Sequence, residues 1–259
     1  MPLIITSIQN QIGTLQFNHI DKLNCLSHSL MDELMEGLRT LGSGDCNVLV
    51  IRAATGVKVW SAGHDINELP APRRDPLSYG NRLETLLRNI QDCSVPVIAM
   101  VEGSVWGGAC DLCCSCDMVI AAEGSTFAMT PAKIGIPYNA SGLIHFVNHI
   151  GLNKAKEMFF TAKPTPVHEA LANGFVNHAV SADRLVSFTY DVAASIAGNA
   201  PLAVRAIKAQ FRLLTRGNLI DAETAERIQA IRRGVYDSED YAEGIRAFKE
   251  KRKPQFKGQ

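Results

Sequence analysis

The sequence lacks an excess of charge of either sign and lacks any long hydrophobic run. Lys and Arg number 26 and Asp and Glu also number 26, so the formal net charge is zero. Proteins whose main partner is nucleic acid or an anionic membrane carry a basic patch or a basic excess, so this balance disfavours both partners. No apolar run approaches the ~20 residues that a helix needs to cross a bilayer.

Targeting signals and repeats are also missing. Residues 1–10 lack the basic flank and the long apolar core of a secretory signal. No internal repeat or low-complexity stretch interrupts the chain, and its apolar fraction of 46% is ordinary for a globular protein. We therefore expect a cytoplasmic protein whose 259 residues form one large domain, or one domain with an appendage.

The cysteines do not fit a disulfide framework, because an odd number of them, seven, occurs in a chain expected in the cytoplasm. Four lie close together, at Cys110, Cys113, Cys114 and Cys116. On a helix the first three share one face, and free cysteine is often buried, which predicts structural thiols. The spacing also fits a metal or cluster site. No second Cys or His pair at ligand spacing accompanies it, so we predict no metal.

A glycine turn after a predicted buried strand is the main candidate for chemistry. Residues 96–101 are apolar, and residues 109–118 are predicted to form a short interior helix. Gly107 and Gly108 lie where the turn becomes that helix. N–H groups in a first helical turn have no intrahelical partner, and the helix dipole makes this end electropositive. The turn therefore predicts an anion site or half of an oxyanion hole. A tight turn that needs glycine only for packing is the alternative.

A second glycine turn, Trp60–Ile66, follows another apolar strand. Two such turns can each direct one N–H group at the same oxygen. Together they resemble the crotonase (enoyl-CoA hydratase/isomerase) family, in which an S/F-A-G-x-D-I turn is paired with a G-x-x-x-G-G-x-x-[ED] turn. The matching segments here are Ser61–Ile66 and Gly103–Asp111, and the resemblance extends over essentially the whole chain.

The resemblance implies an α/β fold. A ββα spiral core would occupy residues 1–181 and bind acyl-CoA, and residues 182–259 would form a C-terminal helical trimerisation region. In this region the periodicity predicts helices at residues 182–198, 201–214, 218–236 and 238–249. The family likeness further implies self-association as a homotrimer, or as a hexamer made of two trimers.

The same resemblance implies the substrate contacts. The N–H groups of His64 and Gly108 would bind the thioester oxygen of an acyl-CoA, and Lys253 would reach the CoA phosphates. No cofactor is implied beyond the coenzyme A of the substrate itself. The full set of implied substrate-binding residues is Asn24, Cys25, Leu26, Ala62, His64, Asp65, Ile66, Gly107, Gly108 and Lys253.

Two glutamates that serve the hydratases of this family are missing. Asp111 occupies the first position and Pro131 the second. Adding water to a double bond needs both a base and a proton donor, so hydration is predicted to be disabled. Near the second position lie Thr130 and Tyr138, which are similar to residues of family members that decarboxylate malonyl-type thioesters.

Decarboxylation suits this set of residues because loss of CO2 leaves an enolate and needs no base to start. A neutral donor such as Tyr138 can hold the substrate carboxylate perpendicular to the thioester plane, where a cation would stabilise the ground state and oppose the reaction. We therefore expect decarboxylation of methylmalonyl-CoA or malonyl-CoA. The candidate catalytic residues are His64, Gly108, Thr130, Tyr138 and Asp111.

Alternatives remain open at this point. The chain can be an enoyl-CoA hydratase or isomerase that uses Asp111, or Asp111 can be a structural helix acid. Tyr138 can be a rim residue, and the His64 side chain can cap a neighbouring loop. His145 is predicted to be a surface histidine or a satisfied core histidine.

Overall fold

The computed structural model describes residues 1–71, 73–215 and 222–258. Within these ranges the chain forms short strands, the longest of which have six residues. In chain order they are β1 (Ile4–Gln9), β2 (Ile12–Phe17), β3 (Val48–Arg52), β4 (Val59–Ser61), β5 (Val97–Val101), β6 (Ser104–Trp106), β7 (Met118–Ala122), β8 (Thr126–Ala128), β9 (Thr165–Pro166) and β10 (His178–Val180).

The helices lie between these strands and after them. In chain order they are α1 (His28–Gly42), α2 (Arg82–Asp92), α3 (Gly108–Ser115), α4 (Ala140–Thr161), α5 (Val167–Ala172), α6 (Ala182–Ala197), α7 (Pro201–Thr215), α8 (Ala222–Tyr236) and α9 (Glu239–Lys249). Three short 3₁₀ helices are added at Ile20–Lys22, Ile66–Glu68 and Pro131–Ile134.

The strands form two sheets. The larger has the order β1-β2-β3-β5-β7-β10, and the smaller has the order β4-β6-β8-β9. The central strands of both sheets are parallel, and an antiparallel strand is added at β1 and at β9. Every residue of β5 is buried, as the uninterrupted apolar run Val97–Val101 predicts for a strand covered on both faces.

A repeated β-β-α unit builds the two sheets together. β3 and β4 precede α2, β5 and β6 precede α3, and β7 and β8 precede α4. In each unit the first strand joins the larger sheet and the second joins the smaller one. The chain therefore advances as a spiral, which confirms the predicted α/β class and ββα core. The ends of β4 and β6, which are parallel neighbours, meet at one edge of the smaller sheet.

Local sequence signals explain the N-terminal elements. β1 and β2 pair as a hairpin, and Asn10 and Gln11 in the turn both have positive φ, at 50° and 63°. Ser27 lies directly before α1 and caps it by accepting a hydrogen bond from the Leu30 N–H. The buried face of α1 packs against α2 and the first strands.

The C-terminal helices contact the core as well as solvent. Leu185 and Ala193 of α6 are buried against strands of the larger sheet, in one apolar cluster with Val48 and Ile98. α9 packs against the 3₁₀ helix Pro131–Ile134, which borders the glycine turns. The predicted start of a helix at Asn218 lies outside the described residues. The boundary predicted between residues 181 and 182 stays a prediction.

The sequence predicts that no segment of the chain crosses a membrane, and the lengths and composition of the helices bear on this prediction. Among the helices of the described ranges, we find none with the length and apolar character that crossing a membrane requires.

Candidate active site

The two glycine turns lie side by side because they follow parallel neighbouring strands. β4 leads into Gly63, whose φ is +80°, and β6 leads into Gly107, whose φ is +51°. Both values lie in the left-handed region that glycine adopts without steric cost. A Cβ atom on Gly63 would lie 2.3 Å from the Trp106 carbonyl oxygen, so glycine is required for the turns to approach this closely.

The N–H groups of the first turn can be accounted for one by one. Ala62 N–H donates to the Leu23 carbonyl, Gly63 N–H to Ser61 Oγ and Asp65 N–H to the Leu26 carbonyl. His64 forms a parallel bridge with Leu26. In this bridge Leu26 makes both hydrogen bonds, one to the Gly63 carbonyl and one from the Asp65 N–H, so the backbone of His64 takes no part in them. Within the described residues His64 N–H has no acceptor, and it is available to a ligand.

The second turn provides a matching donor. Gly107 N–H donates to the Ala128 carbonyl, and α3 begins at Gly108, whose N–H has no acceptor in the described part of the chain. His64 N lies 3.8 Å from the position that a Cβ on Gly108 would occupy, and Gly108 N lies 3.3 Å from the corresponding position on Gly63. The two unpaired amides are therefore near neighbours, as an oxyanion hole requires.

A cavity of ≈ 70 Å³ opens beside these amides. Most of its wall is apolar, with Leu69, Leu77 and Leu83 among the lining side chains. The candidate site residues that the structure brings together around it are Ala62, His64, Ile66, Gly107, Gly108, Thr130 and Tyr138. Pro131 also lines it, at the position where a hydratase of this family would have its second glutamate.

Asp111 lies behind Tyr138 rather than on the cavity wall. Its side chain is fully buried, on an α3 helix of which every residue is buried. Asp111 Oδ2 accepts a hydrogen bond from the Tyr138 hydroxyl at 2.8 Å, and Oδ1 lies 2.7 Å from Nδ1 of His145. An ionised carboxylate only accepts hydrogen bonds, so Nδ1 of His145 is the donor.

Burial and the Asp111 charge shift the pKa values of this cluster. Burial, and next the nearby Asp111 charge, raise the pKa of Tyr138 well above its ordinary value, so the phenol stays neutral. Burial lowers the pKa of His145, but the charge and the hydrogen bond of Asp111 outweigh burial and leave it raised. The predicted role of Tyr138 as a neutral donor is compatible with these surroundings.

A buried glutamate lies close by on α2, although it does not line the cavity. Glu84 accepts hydrogen bonds from Asn139 Nδ2 at 2.5 Å and from Ser141 Oγ at 2.8 Å. Asn139 in turn caps α4 through the N–H of Gly142. Glu84 therefore fixes the start of the helix that follows Tyr138, and both of its oxygens are engaged there.

The His64 side chain is half-buried beside its own turn, with both ring nitrogens out of contact with solvent. The pKa of His64 is lowered to about 4, mainly by burial of the ring, so the ring is neutral at physiological pH. Neither ring nitrogen has a hydrogen-bond partner within the described residues. The alternative that this side chain caps a neighbouring loop is therefore wrong.

The remaining predicted contacts lie around the first turn or away from it. Asn24 is buried and donates to the Trp60 carbonyl, while its own carbonyl accepts from Ser61 Oγ. Cys25 Sγ lies 3.8 Å from Asp65 Oδ2, and burial, with that carboxylate, raises the pKa of the thiol to about 11. These residues shape the loop that holds His64 and Leu26 together.

Lys253 is the exception among the predicted contacts. It lies after α9 and does not line the cavity, so its role toward CoA stays a prediction.

The clustered cysteines are buried, as one interpretation predicted. Cys110 Sγ donates to the Val105 carbonyl and Cys116 Sγ donates to the Leu112 carbonyl. Burial raises the pKa of each of these thiols, and a metal is bound by the thiolate rather than the thiol. The chain from 1–71, 73–215 and 222–258 shows no group of three or more His, Cys, Asp or Glu suited to a metal.

Three neighbours of this cluster were not among the candidate site residues: His145, Glu84 and Gln91. His145 is a satisfied, largely buried histidine, which was one of its two predicted settings, and Asp111 is its partner. Gln91 on α2 places Nε2 2.9 Å from Nε2 of His145. These contacts join α2, α3 and α4, and no short sequence motif contains them.

Comparison with known proteins agrees with this geometry. The family model for enoyl-CoA hydratase/isomerase matches residues 7–259. A methylmalonyl-CoA decarboxylase of Escherichia coli K12 is 47% identical, over 96% of this chain and 95% of its own. A short-chain-enoyl-CoA hydratase of Clostridium acetobutylicum is 28% identical over 96% and 95%.

Solved structures give the same result. A methylmalonyl-CoA decarboxylase in complex with 2-nitronate-propionyl-CoA superimposes with a TM-score of 0.97 and 45% identity, covering 99% of both chains. A second structure of that name, complexed with 2S-carboxypropyl CoA, has the same TM-score and identity, over 99% of this chain and 98% of its own. The likeness expected from the glycine turns is confirmed, and the chain belongs to the enoyl-CoA hydratase/isomerase (crotonase) family.

Proposed function

We propose that this protein decarboxylates methylmalonyl-CoA or malonyl-CoA, giving propionyl-CoA or acetyl-CoA. The observation that carries the proposal is the division of polar groups around the cavity. Two amides that have no acceptor among the described residues, those of His64 and Gly108, border it, whereas both oxygens of Asp111 are engaged behind it. The similarity to methylmalonyl-CoA decarboxylases, at 47% and 45% identity, supports the same reaction.

The amides would act on the thioester oxygen. As CO2 leaves, negative charge develops on that oxygen, and preorganised N–H donors stabilise it without reorganisation. One such donor is typically worth roughly 3–4 kcal/mol. No base is required, so the absence of a glutamate at Pro131 does not hinder this chemistry.

Tyr138 would orient the substrate carboxylate. The Tyr138 side chain lines the cavity, and its hydroxyl, which donates to Asp111, remains neutral because burial raises its pKa. A neutral donor fixes the carboxylate perpendicular to the thioester plane and does not hold it as strongly as a cation would. Thr130, on the same wall, would border the acyl group. The reaction uses no metal and no cofactor other than the coenzyme A of the substrate.

We further propose self-association as a homotrimer, or as a hexamer made of two trimers, through the C-terminal helices. Large apolar side chains are exposed on α7 and α8, including Leu202, Phe211, Leu214 and Ile231. Lys253 would reach the CoA phosphates, and a cytoplasmic location would supply the substrate. Light scattering of the purified protein tests the oligomer, and a monomer would refute it.

The test of function is CO2 release from methylmalonyl-CoA and malonyl-CoA. We expect turnover of at least one, and a loss of roughly 10- to 100-fold in kcat for Tyr138→Phe, because one hydrogen bond to a charged group is lost. No turnover of either thioester refutes the proposal. Hydration of crotonyl-CoA that Asp111→Ala abolishes would establish the hydratase alternative instead.

A further inference from the structure

The Tyr138 hydroxyl has one proton and two potential acceptors. It donates to Asp111 Oδ2 at 2.8 Å, and the proposed function requires it to donate to a substrate carboxylate in the cavity. A hydrogen bond to an ionised carboxylate is roughly twice as strong as a bond between neutral groups. If the charge of Asp111 were uncompensated, it would retain the proton of Tyr138. It would also repel the substrate anion across a short, dry distance.

His145 is placed to compensate that charge. Nδ1 lies 2.7 Å from Asp111 Oδ1, the oxygen that Tyr138 does not use. The Asp111 side chain has no exposure to solvent, so water screens its charge little on that side of the pair. When the imidazole carries a second proton, the imidazolium and the carboxylate together have no net charge.

The far side of His145 is connected to solvent. Its side chain is 20% exposed and lines a groove of ≈ 730 Å³ between α4, α6 and α7, which is separate from the cavity at the glycine turns. Gln91 faces Nε2 from α2. An amide can present either its NH2 group or its oxygen, so Gln91 satisfies both the neutral and the protonated ring. His145 can therefore exchange a proton while substrate fills the cavity.

We propose that His145 in its protonated form is a positioning residue that acts through Asp111, releasing the Tyr138 hydroxyl to the substrate carboxylate. This inference rests on the proposed decarboxylation. It predicts that kcat is constant at low pH and falls as pH rises through the pKa of His145. Because Asp111 raises that pKa, the fall is centred above the ordinary value of a histidine.

Three groups at or beside the cavity, those of His64, Cys25 and Tyr138, do not produce this fall. The pKa of His64 is about 4, that of Cys25 is about 11, and that of Tyr138 is raised well above its ordinary value. Decarboxylation from an ionised substrate through backbone amides is otherwise independent of pH in this range. The titratable groups that surround His145, from its own helix and from the elements packed around it, are Asp111, Cys114, Cys116, Asp117, Glu84 with its partner Arg88, Tyr138, His149, Lys208 and Arg212.

The experiment measures kcat and KM for CO2 release between about pH 6 and about pH 9. The wild type should lose activity toward high pH. His145→Gln should lower kcat roughly 10- to 100-fold with little change in KM, and its activity should no longer depend on pH in this range. The matched control is His149→Gln, one helical turn away and exposed, which should keep the wild-type profile.

Asp111→Asn provides the second variant. Its amide oxygen can accept from His145 and its NH2 group can donate to Tyr138, which leaves the tyrosine proton for the substrate. Its kcat should no longer depend on pH in this range, because no carboxylate charge remains for His145 to compensate. A flat wild-type profile, an unchanged profile in His145→Gln, or a folded Asp111→Asn protein whose kcat still falls toward high pH would each overturn the inference. No CO2 release by the wild type at any pH would refute the proposed function itself.

Discussion

Gly142 offers a steric probe of the Tyr138 position. It lies in the first turn of α4, where a Cβ atom would be 2.1 Å from Tyr138 Cε1 and 2.7 Å from Asp111 Oδ2. An ordinary contact is 3.4 Å or more, so Gly142→Ala must displace the ring edge by about 1.3 Å. The ring also contacts Phe159, with centroids 5.3 Å apart, and has little room to move.

The displacement should affect catalysis more than stability. A misplacement of about 1 Å near reacting groups can cost on the order of 100-fold, so kcat should fall by about that factor. Overpacking costs about 1–3 kcal/mol, while alanine gains up to about 1 kcal/mol over glycine inside a helix. The net destabilisation of about 1–2 kcal/mol should lower Tm by about 5 °C.

The assay compares CO2 release and thermal unfolding for Gly142→Ala with those for Gly234→Ala. Gly234 lies inside α8, where an added Cβ meets no atom within 4 Å. This control should keep the wild-type kcat and should not lower Tm. A folded Gly142→Ala enzyme with wild-type kcat would show that the ring position does not matter, and it would refute the assignment of Tyr138 to substrate orientation.

Three further outcomes are expected. Gly63→Ala should abolish CO2 release, because its Cβ collides with backbone, whereas Gly56→Ala, with the same φ of +80° and open space, should remain active. In urea, Lys208→Met should lose at most about 3 kcal/mol of unfolding free energy, because its partner Asp117 keeps some exposure. Hydrogen bonds from a neighbouring arginine lower the pKa of Glu243, so its stabilisation exists above the ordinary pKa and is lost as pH falls through the folded value. Glu243→Gln should therefore flatten the fall of Tm in acid.

The parts of the site that were predictable depend on residues that are adjacent in the sequence. The two glycine turns and the buried strands before them are local patterns, and the parallel pairing of β4 and β6 brings them together. Tyr138 reaches the same cavity from the loop before α4. Each of these features depends on backbone conformation over a few residues, which residue type strongly restricts.

The parts that were missed depend on packing between distant helices. Asp111 and His145 are 34 residues apart and meet only because α3 packs against α4. Glu84 shares α2 with the apolar stripe of Leu83, Leu86 and Leu87, and a glutamate at such a position is normally assigned to solvent. Its burial follows from Asn139 and Ser141, whose positions are set by tertiary structure.

The engagement of Asp111 also decides between the two reactions open to this family. A hydratase carboxylate has to reach a water molecule beside the β-carbon and exchange a proton with it. Here the Asp111 carboxylate has no solvent exposure, does not line the cavity, and accepts a hydrogen bond from the Tyr138 hydroxyl. Releasing it would leave a buried charge with one donor, at a cost of about 3–5 kcal/mol. The contacts that keep Asp111 from proton transfer also hold Tyr138 in place beside the cavity. Decarboxylation needs the placed Tyr138 and does not need proton transfer by Asp111.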